Sequence, residues 1–141
     1  MRNNILIFTL IAFSLSACNK AKRTEKKMAG EWKIISYTFQ NLNGFSYKYP
    51  GSGTFTFDSC SDEFCNYNLA LTYNIDGVVY QKNNNGLYDL LDDAEHYTLI
   101  RNNPSGTVST FVDNRILLIN KDQLKTLFQD EIGIHELVLE K

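Results

Sequence analysis

Between Asn66 and Asp76, apolar and polar side chains change places at almost every step: Tyr67, Leu69, Leu71, Tyr73 and Ile75 alternate with Asn66, Asn68, Thr72, Asn74 and Asp76. A period of two puts one set on each face of an extended strand. A helix would instead repeat its apolar stripe every three to four residues. The rest of the chain keeps the same rhythm. Glu31 to Gln40 and Gly53 to Asp58 supply the first strands, and Thr54-Phe55-Thr56-Phe57 alternates cleanly. At Ile34-Ile35 the apolar face changes phase, which predicts a bulge or burial on both sides. Asp76-Gly77 predicts a tight hairpin into Val78 to Lys82, and Asn83-Asn84-Asn85-Gly86 reads as a further turn before Leu87 to Leu91. Tyr97 to Arg101 ends at the turn formers Asn102 to Gly106. Thr107 to Asp113 and Arg115 to Asn120 form one long strand or two, and Leu124 to Gln129 and Ile134 to Glu140 close the series. About eight to ten strands at this spacing predict an all-β, antiparallel barrel or sandwich.

The N-terminus carries a different signal. Arg2 precedes an apolar run from Ile5 to Leu15, which ends in Ser16-Ala17-Cys18. The run is shorter than the about 20 residues needed to cross a bilayer, and its layout is that of a secretory signal. Leu15-Ser16-Ala17-Cys18 resembles the bacterial lipobox. The resemblance implies that residues 1–17 are removed and that Cys18 becomes a lipidated N-terminus. The expected home is then the cell envelope, anchored to membrane by that lipid. Asn19 is not the aspartate of inner-membrane retention, so the resemblance favours the outer membrane, on either face.

Charge is unevenly placed. Residues 19–27 hold Lys20, Lys22, Arg23, Lys26 and Lys27 against Glu25, whereas everything from Met28 onward carries 8 basic and 15 acidic residues, a net of −7. An acidic body excludes nucleic acid as a natural partner. Residues 18–27 have no apolar periodicity and read as a flexible basic tether, with a helical turn only at Glu25 to Ala29. Such a tether either aids binding to an anionic leaflet or simply keeps the linker soluble. Residues 28–141 make the barrel domain.

With Cys18 claimed by lipid, Cys60 and Cys65 remain as an even pair in a compartment that permits disulfides. They close a short polar loop between two strand-like runs, and a disulfide is the favoured reading. A redox pair would want C-x-x-C and a basic neighbour, and zinc would want a second ligand pair.

Gly30-Glu31-Trp32 matches the G-x-W that opens the first strand of lipocalins, and an all-β pattern of fitting length follows. From Met28 to Lys141 the chain resembles the lipocalin-like domains of bacterial lipoproteins. The resemblance implies a closed barrel in which Gly30 and Trp32 shape the closed end and a cation packs on the indole. Lys141 is the first choice for that cation and Arg115 the second.

Catalytic chemistry finds little footing. No nucleophile elbow, zincin helix, phosphate loop or dinucleotide fingerprint occurs. Asp92-Asp93-Ala94-Glu95-His96 lacks calcium-loop spacing and reads as an acidic turn, and His135 as a hydrogen-bonded wall residue beside Leu137 and Leu139. The expectation is a non-enzyme with no metal and no cofactor. Inward-facing Tyr37, Phe39, Phe55, Phe57, Tyr67, Leu69, Leu71, Tyr73 and Phe111 are either the wall of a ligand cavity or ordinary core, because an eight-stranded barrel has room for both. The expected function is binding of a small hydrophobic or amphipathic molecule in the cell envelope; the alternative is a non-catalytic interaction or structural module with a filled barrel that contacts another envelope protein.

Overall fold

The computed structural model describes residues 20–60 and 64–141. The lipobox and Cys18 lie outside the described residues, as do Ser61 to Glu63. A helix, α1, covers residues 20–28. Eight strands follow: β1 (Gly30–Asn41), β2 (Ser46–Phe57), β3 (Cys65–Ile75), β4 (Val78–Leu90), β5 (His96–Asn102), β6 (Val108–Ile119), β7 (Gln123–Asp130) and β8 (Gly133–Glu140). Each pairs antiparallel with the next, and β1 pairs with β8 to close the barrel. Closure leaves no sheet edge in need of a partner. The Cys60–Cys65 disulfide joins the early part of the β2–β3 connection to the first residue of β3, with Cα atoms 5.2 Å apart.

The phase change at Ile34-Ile35 is a bulge. Pairing of β1 slips between Lys33 and Ser36 toward β2 and between Ile34 and Ser36 toward β8, leaving Ile35 exposed. Asp76 and Gly77 both take positive φ, as a two-residue hairpin of the primed type requires. The stretch Thr107 to Asn120 forms a single strand, bulged at Asp113 (φ 62°). Buried Asn114 secures that bulge: its Nδ2 donates to the carbonyls of Tyr97 and Phe111, and its Oδ1 accepts from the Gln129 N–H.

Two expectations need correction. Asn83-Asn84-Asn85-Gly86 is no turn but the middle of β4, paired residue by residue with Tyr67 to Ala70. Ladder bonds to β3 outweigh local turn preference there. Gly86 is needed for close approach instead, since a Cβ on it would stand 1.9 Å from the Ile100 carbonyl oxygen of β5. The basic stretch, from Lys20 onward, is not a flexible tether but helix. Ala21, Thr24, Glu25 and Met28 recur at helical spacing on its inner side, and Thr24 and Met28 are buried.

The antiparallel meander sends the β1–β2, β3–β4, β5–β6 and β7–β8 turns to one end, the rim. The other three turns, α1 and the C-terminus gather at the opposite, closed end. There the Trp32 indole is fully buried and its Nε1 donates to the Met28 carbonyl at 2.6 Å. Lys141 Nζ lies 4.5 Å from the indole centroid and donates to the carbonyls of Lys27 and Ala29. Gly30 (φ 116°) lets the chain turn from helix into strand at this spot.

Above the Trp32 plug, side chains from opposite walls meet across the lumen. Phe55 of β2 packs on Phe57 at 4.2 Å between centroids and edge-on to Phe128 of β7 at 6.4 Å. Tyr97 of β5 hydrogen-bonds Thr126 of β7. Trp32, Phe55, Leu71, Tyr88, Tyr97, Leu124, Leu137 and Leu139 are all 0 % exposed. A void roomy enough for water would leave part of its lining accessible, so the closed and central layers are packed solid.

Candidate functional site

The rim half of the barrel is built differently. Toward the rim the inward phase of β1 to β4 carries tyrosines, and these touch in an unbroken series. Tyr47 stacks on Tyr49 (6.3 Å), Tyr49 meets Tyr73 (5.7 Å), and Tyr73 stacks on Tyr80 (5.6 Å). Tyr37 meets Tyr73 at 4.9 Å and Tyr49 at 6.0 Å from below. The series runs from fully buried Tyr37 out to Tyr47 and Tyr80, which are 46 % and 42 % exposed. Beside it the hairpin tips carry apolar side chains into solvent: Leu42, Phe45, Val78, Val79, Val108 and Ile132. Exposed apolar side chains scattered singly are unremarkable, whereas these are gathered at one end.

Under the tyrosines lies a charged network. Lys82 of β4 ion-pairs with Asp130 of β7, and since β5 and β6 stand between those strands the pair spans the lumen. Asp130 Oδ1 lies 2.9 Å from His135 Nε2 and also accepts the Ile132 N–H. The Nε2–H does not point along the line to that oxygen, so this contact is mainly electrostatic. His135 Nδ1 faces Tyr37 Oη at 2.9 Å. The neutral ring protonated at Nε2 fits both partners, with Tyr37 donating to Nδ1. Burial holds the Tyr37 phenol in its protonated form, with the Tyr73, Asp130 and Tyr49 groups acting the same way. Arg101 pairs with Glu131 at 2.9 Å and lies over the Phe111 ring at 5.0 Å.

Two titrations follow from this network. Burial lowers the His135 pKa below its usual value, outweighing the neighbouring carboxylate. Despite the desolvation cost, the close polar contact with His135 and the hydrogen bond and charge of Lys82 hold Asp130 well below the usual carboxylate range. An unfolded histidine binds a proton from about pH 6.5 downward while His135 in the barrel resists it, so stability falls as pH drops below that point. The contribution of Asp130 is present above about pH 4 and is lost as pH falls further, through its folded pKa. Urea unfolding at pH 7.5 and pH 5.5 should show a loss of about 1 kcal/mol, since each pH unit of differential protonation is worth about 1.4 kcal/mol. His135→Gln should lose less than half as much over the same interval. An equal loss in both proteins would remove His135 as the cause.

Of the nine inward candidates, Tyr37, Phe55, Phe57, Tyr67, Leu69 and Leu71 are buried in the packed core, while Phe39, Tyr73 and Phe111 are partly buried toward the rim. Sequence reading did not find Lys82, Arg101 or Asp130 inside the barrel, nor Tyr49 and Tyr80 beside Tyr73. The signal existed for Asp130, which continues the inward phase of Leu124, Thr126 and Phe128. Asp93 closes the turn before β5: its Oδ1 accepts the N–H groups of Glu95 and His96, its Oδ2 faces His96 Nδ1 at 2.5 Å, and its pKa is held down at about 2. Among the described residues, no three His, Cys, Asp or Glu side chains are grouped to hold a metal ion.

His135 is 0 % exposed, so no substrate atom reaches its ring while the barrel is closed. Through these contacts the network ties β1, β4, β7 and β8 together. The tyrosine-lined mouth offers aromatic bodies with polar tips, chemistry that suits a surface of mixed character. A search of protein-family models, curated proteins and solved structures finds no match to this chain.

Proposed function

We propose that this chain is a lipid-anchored, lipocalin-like protein of the bacterial cell envelope whose filled barrel is a non-catalytic interaction module. Its working surface is the rim: the tyrosine series with the apolar tips of the surrounding hairpins. The partner is an apolar or amphipathic segment of another envelope protein. The observation that carries this reading is the contrast between an interior whose core side chains are at most 4 % exposed and a rim rich in exposed Tyr, Phe, Leu and Val. Tyrosine supplies large contact area at low conformational cost and is over-represented where binding energy concentrates. A small amphipathic molecule is the second reading. Partly buried Phe39, Tyr73 and Phe111 favour it, because they line the layer next to the mouth.

A photo-crosslinking residue at Phe45 or Val79 should give one discrete protein adduct in intact cells, and the same residue at Val112, on the outer wall, should give none. Equal yields from rim and wall, or none from the rim, would count against the rim. The anchor has its own test, carried by the Leu15-Ser16-Ala17-Cys18 sequence. Cys18→Ser should release nearly all of the protein into the soluble envelope fraction. A variant that stays with the membranes defeats the lipid reading.

A further inference from the structure

The ordered helix gives the basic stretch a fixed direction. Lys22, Arg23, Lys26 and Lys27 are exposed on one side of α1, opposite buried Thr24 and Met28. Among the described residues, none of the four has a carboxylate partner, whereas Lys20 is answered by Glu95 at 3.0 Å. The helix is held to the closed end by buried Thr24 and Met28 and by the Lys141 bonds to the carbonyls of Lys27 and Ala29, with the exposed Lys20–Glu95 pair adding little. Its cations therefore cannot swing away from the closed end. Asp92, Asp93 and Glu95 in the β4–β5 turn mark one edge of the basic face and would repel an anionic surface if the barrel leaned that way. Lys20, two residues after Cys18 in the sequence, lies at this same end beside Glu95.

We propose that the outer face of α1 docks flat on an anionic lipid surface and so holds the barrel with its tyrosine-lined mouth pointing away from the bilayer. The proposal rests on the lipid anchor for proximity and on charge complementarity for orientation. Electrostatic attraction to an anionic leaflet acts within a Debye length of about 8 Å, which reaches α1 but little of the acidic body. The 12 residues of β1, at about 3.3 Å each and tilted by about 40°, then lift the rim about 30 Å off the surface. A rim so placed meets proteins of the envelope space rather than lipid.

The test uses the mature lipidated protein reconstituted on vesicles of phosphatidylcholine, with or without phosphatidylglycerol, each containing a nitroxide-bearing lipid as quencher. A fluorophore goes at Asp122→Cys, beside the C-terminal end of α1, or at Asn43→Cys on the rim. Quenching at position 122 should rise several-fold when phosphatidylglycerol is present, and position 43 should stay unquenched on both vesicles. High salt should abolish the rise, as should combined Lys22→Glu, Arg23→Glu, Lys26→Glu and Lys27→Glu with an unchanged melting temperature. If that variant fails to fold, the salt series on the unmodified chain decides. Equal quenching at both positions, or a rise that survives high salt, would overturn the docking face. A chain that washes off neutral vesicles, yet shows the 122-only pattern on anionic ones, keeps the docking face and loses the anchor. Washing off both kinds defeats both.

Discussion

Trp32→Ala is expected to cost about 4 kcal/mol of folding stability, the upper range for removing a large aromatic from a closed core. Three effects combine. The indole is fully buried, so its loss opens a cavity at the plug. The Met28 carbonyl loses its donor, and Lys141 loses the ring beneath its ammonium. Because domains have only about 5–15 kcal/mol to spare, the variant should unfold at much lower urea than the parent. α1 should loosen first, since Met28 and Trp32 are its tie to the barrel, and trypsin should cut after Lys26 or Lys27 while the strands still stand. Trp32→Phe keeps apolar volume but not the N–H, and should cost about 1–2 kcal/mol. If Trp32→Ala melts within a degree or two of the parent, the plug is not where the structure puts it.

Asp130→Asn should be nearly as damaging, at about 3 kcal/mol. The amide keeps the side chain's shape and its bond from the Ile132 N–H, but it leaves the Lys82 ammonium in the lumen without its counter-charge. Removing one partner of a buried pair costs more than the pair contributes, because the survivor is desolvated and unanswered. Asp130→Asn combined with Lys82→Met should therefore recover more than half of the loss. Urea midpoints of the two single variants and the double variant measure this directly. A double variant no better than Asp130→Asn alone would mean that the lumen-spanning pair is not coupled.

These residues also show what a chain of this kind discloses before it folds. Alternation in Tyr67 to Ile75 announced β3 because one face of that strand is core and the other is solvent. The bulge at Ile34-Ile35 was visible as a slip in the same alternation. Asn83 to Gly86 misled because a tetrapeptide reports its own turn preference but not the strands on either side that pair with it. α1 was hidden for a related reason. Its inner face is made of Ala21, Thr24 and Met28, too polar and too sparse to show through a run of lysines. The Lys82–Asp130 pair was beyond reading, since it joins strands 48 residues apart that become neighbours across the lumen only when β1 meets β8. For the tyrosine series the residues were legible one by one. That five of them touch depends on the register of four strands, which no local pattern encodes.

A full barrel that meets its surroundings at the rim should carry no ligand of its own. Gentle purification from membranes, followed by organic extraction and mass spectrometry, tests it most directly. The expected result is that no small molecule is released in proportion to protein, and that a fluorescent fatty acid added to the purified chain shows no saturable binding. One equivalent of a released molecule, or saturable uptake of the probe that Leu71→Trp blocks, would contradict it and place the function inside the barrel.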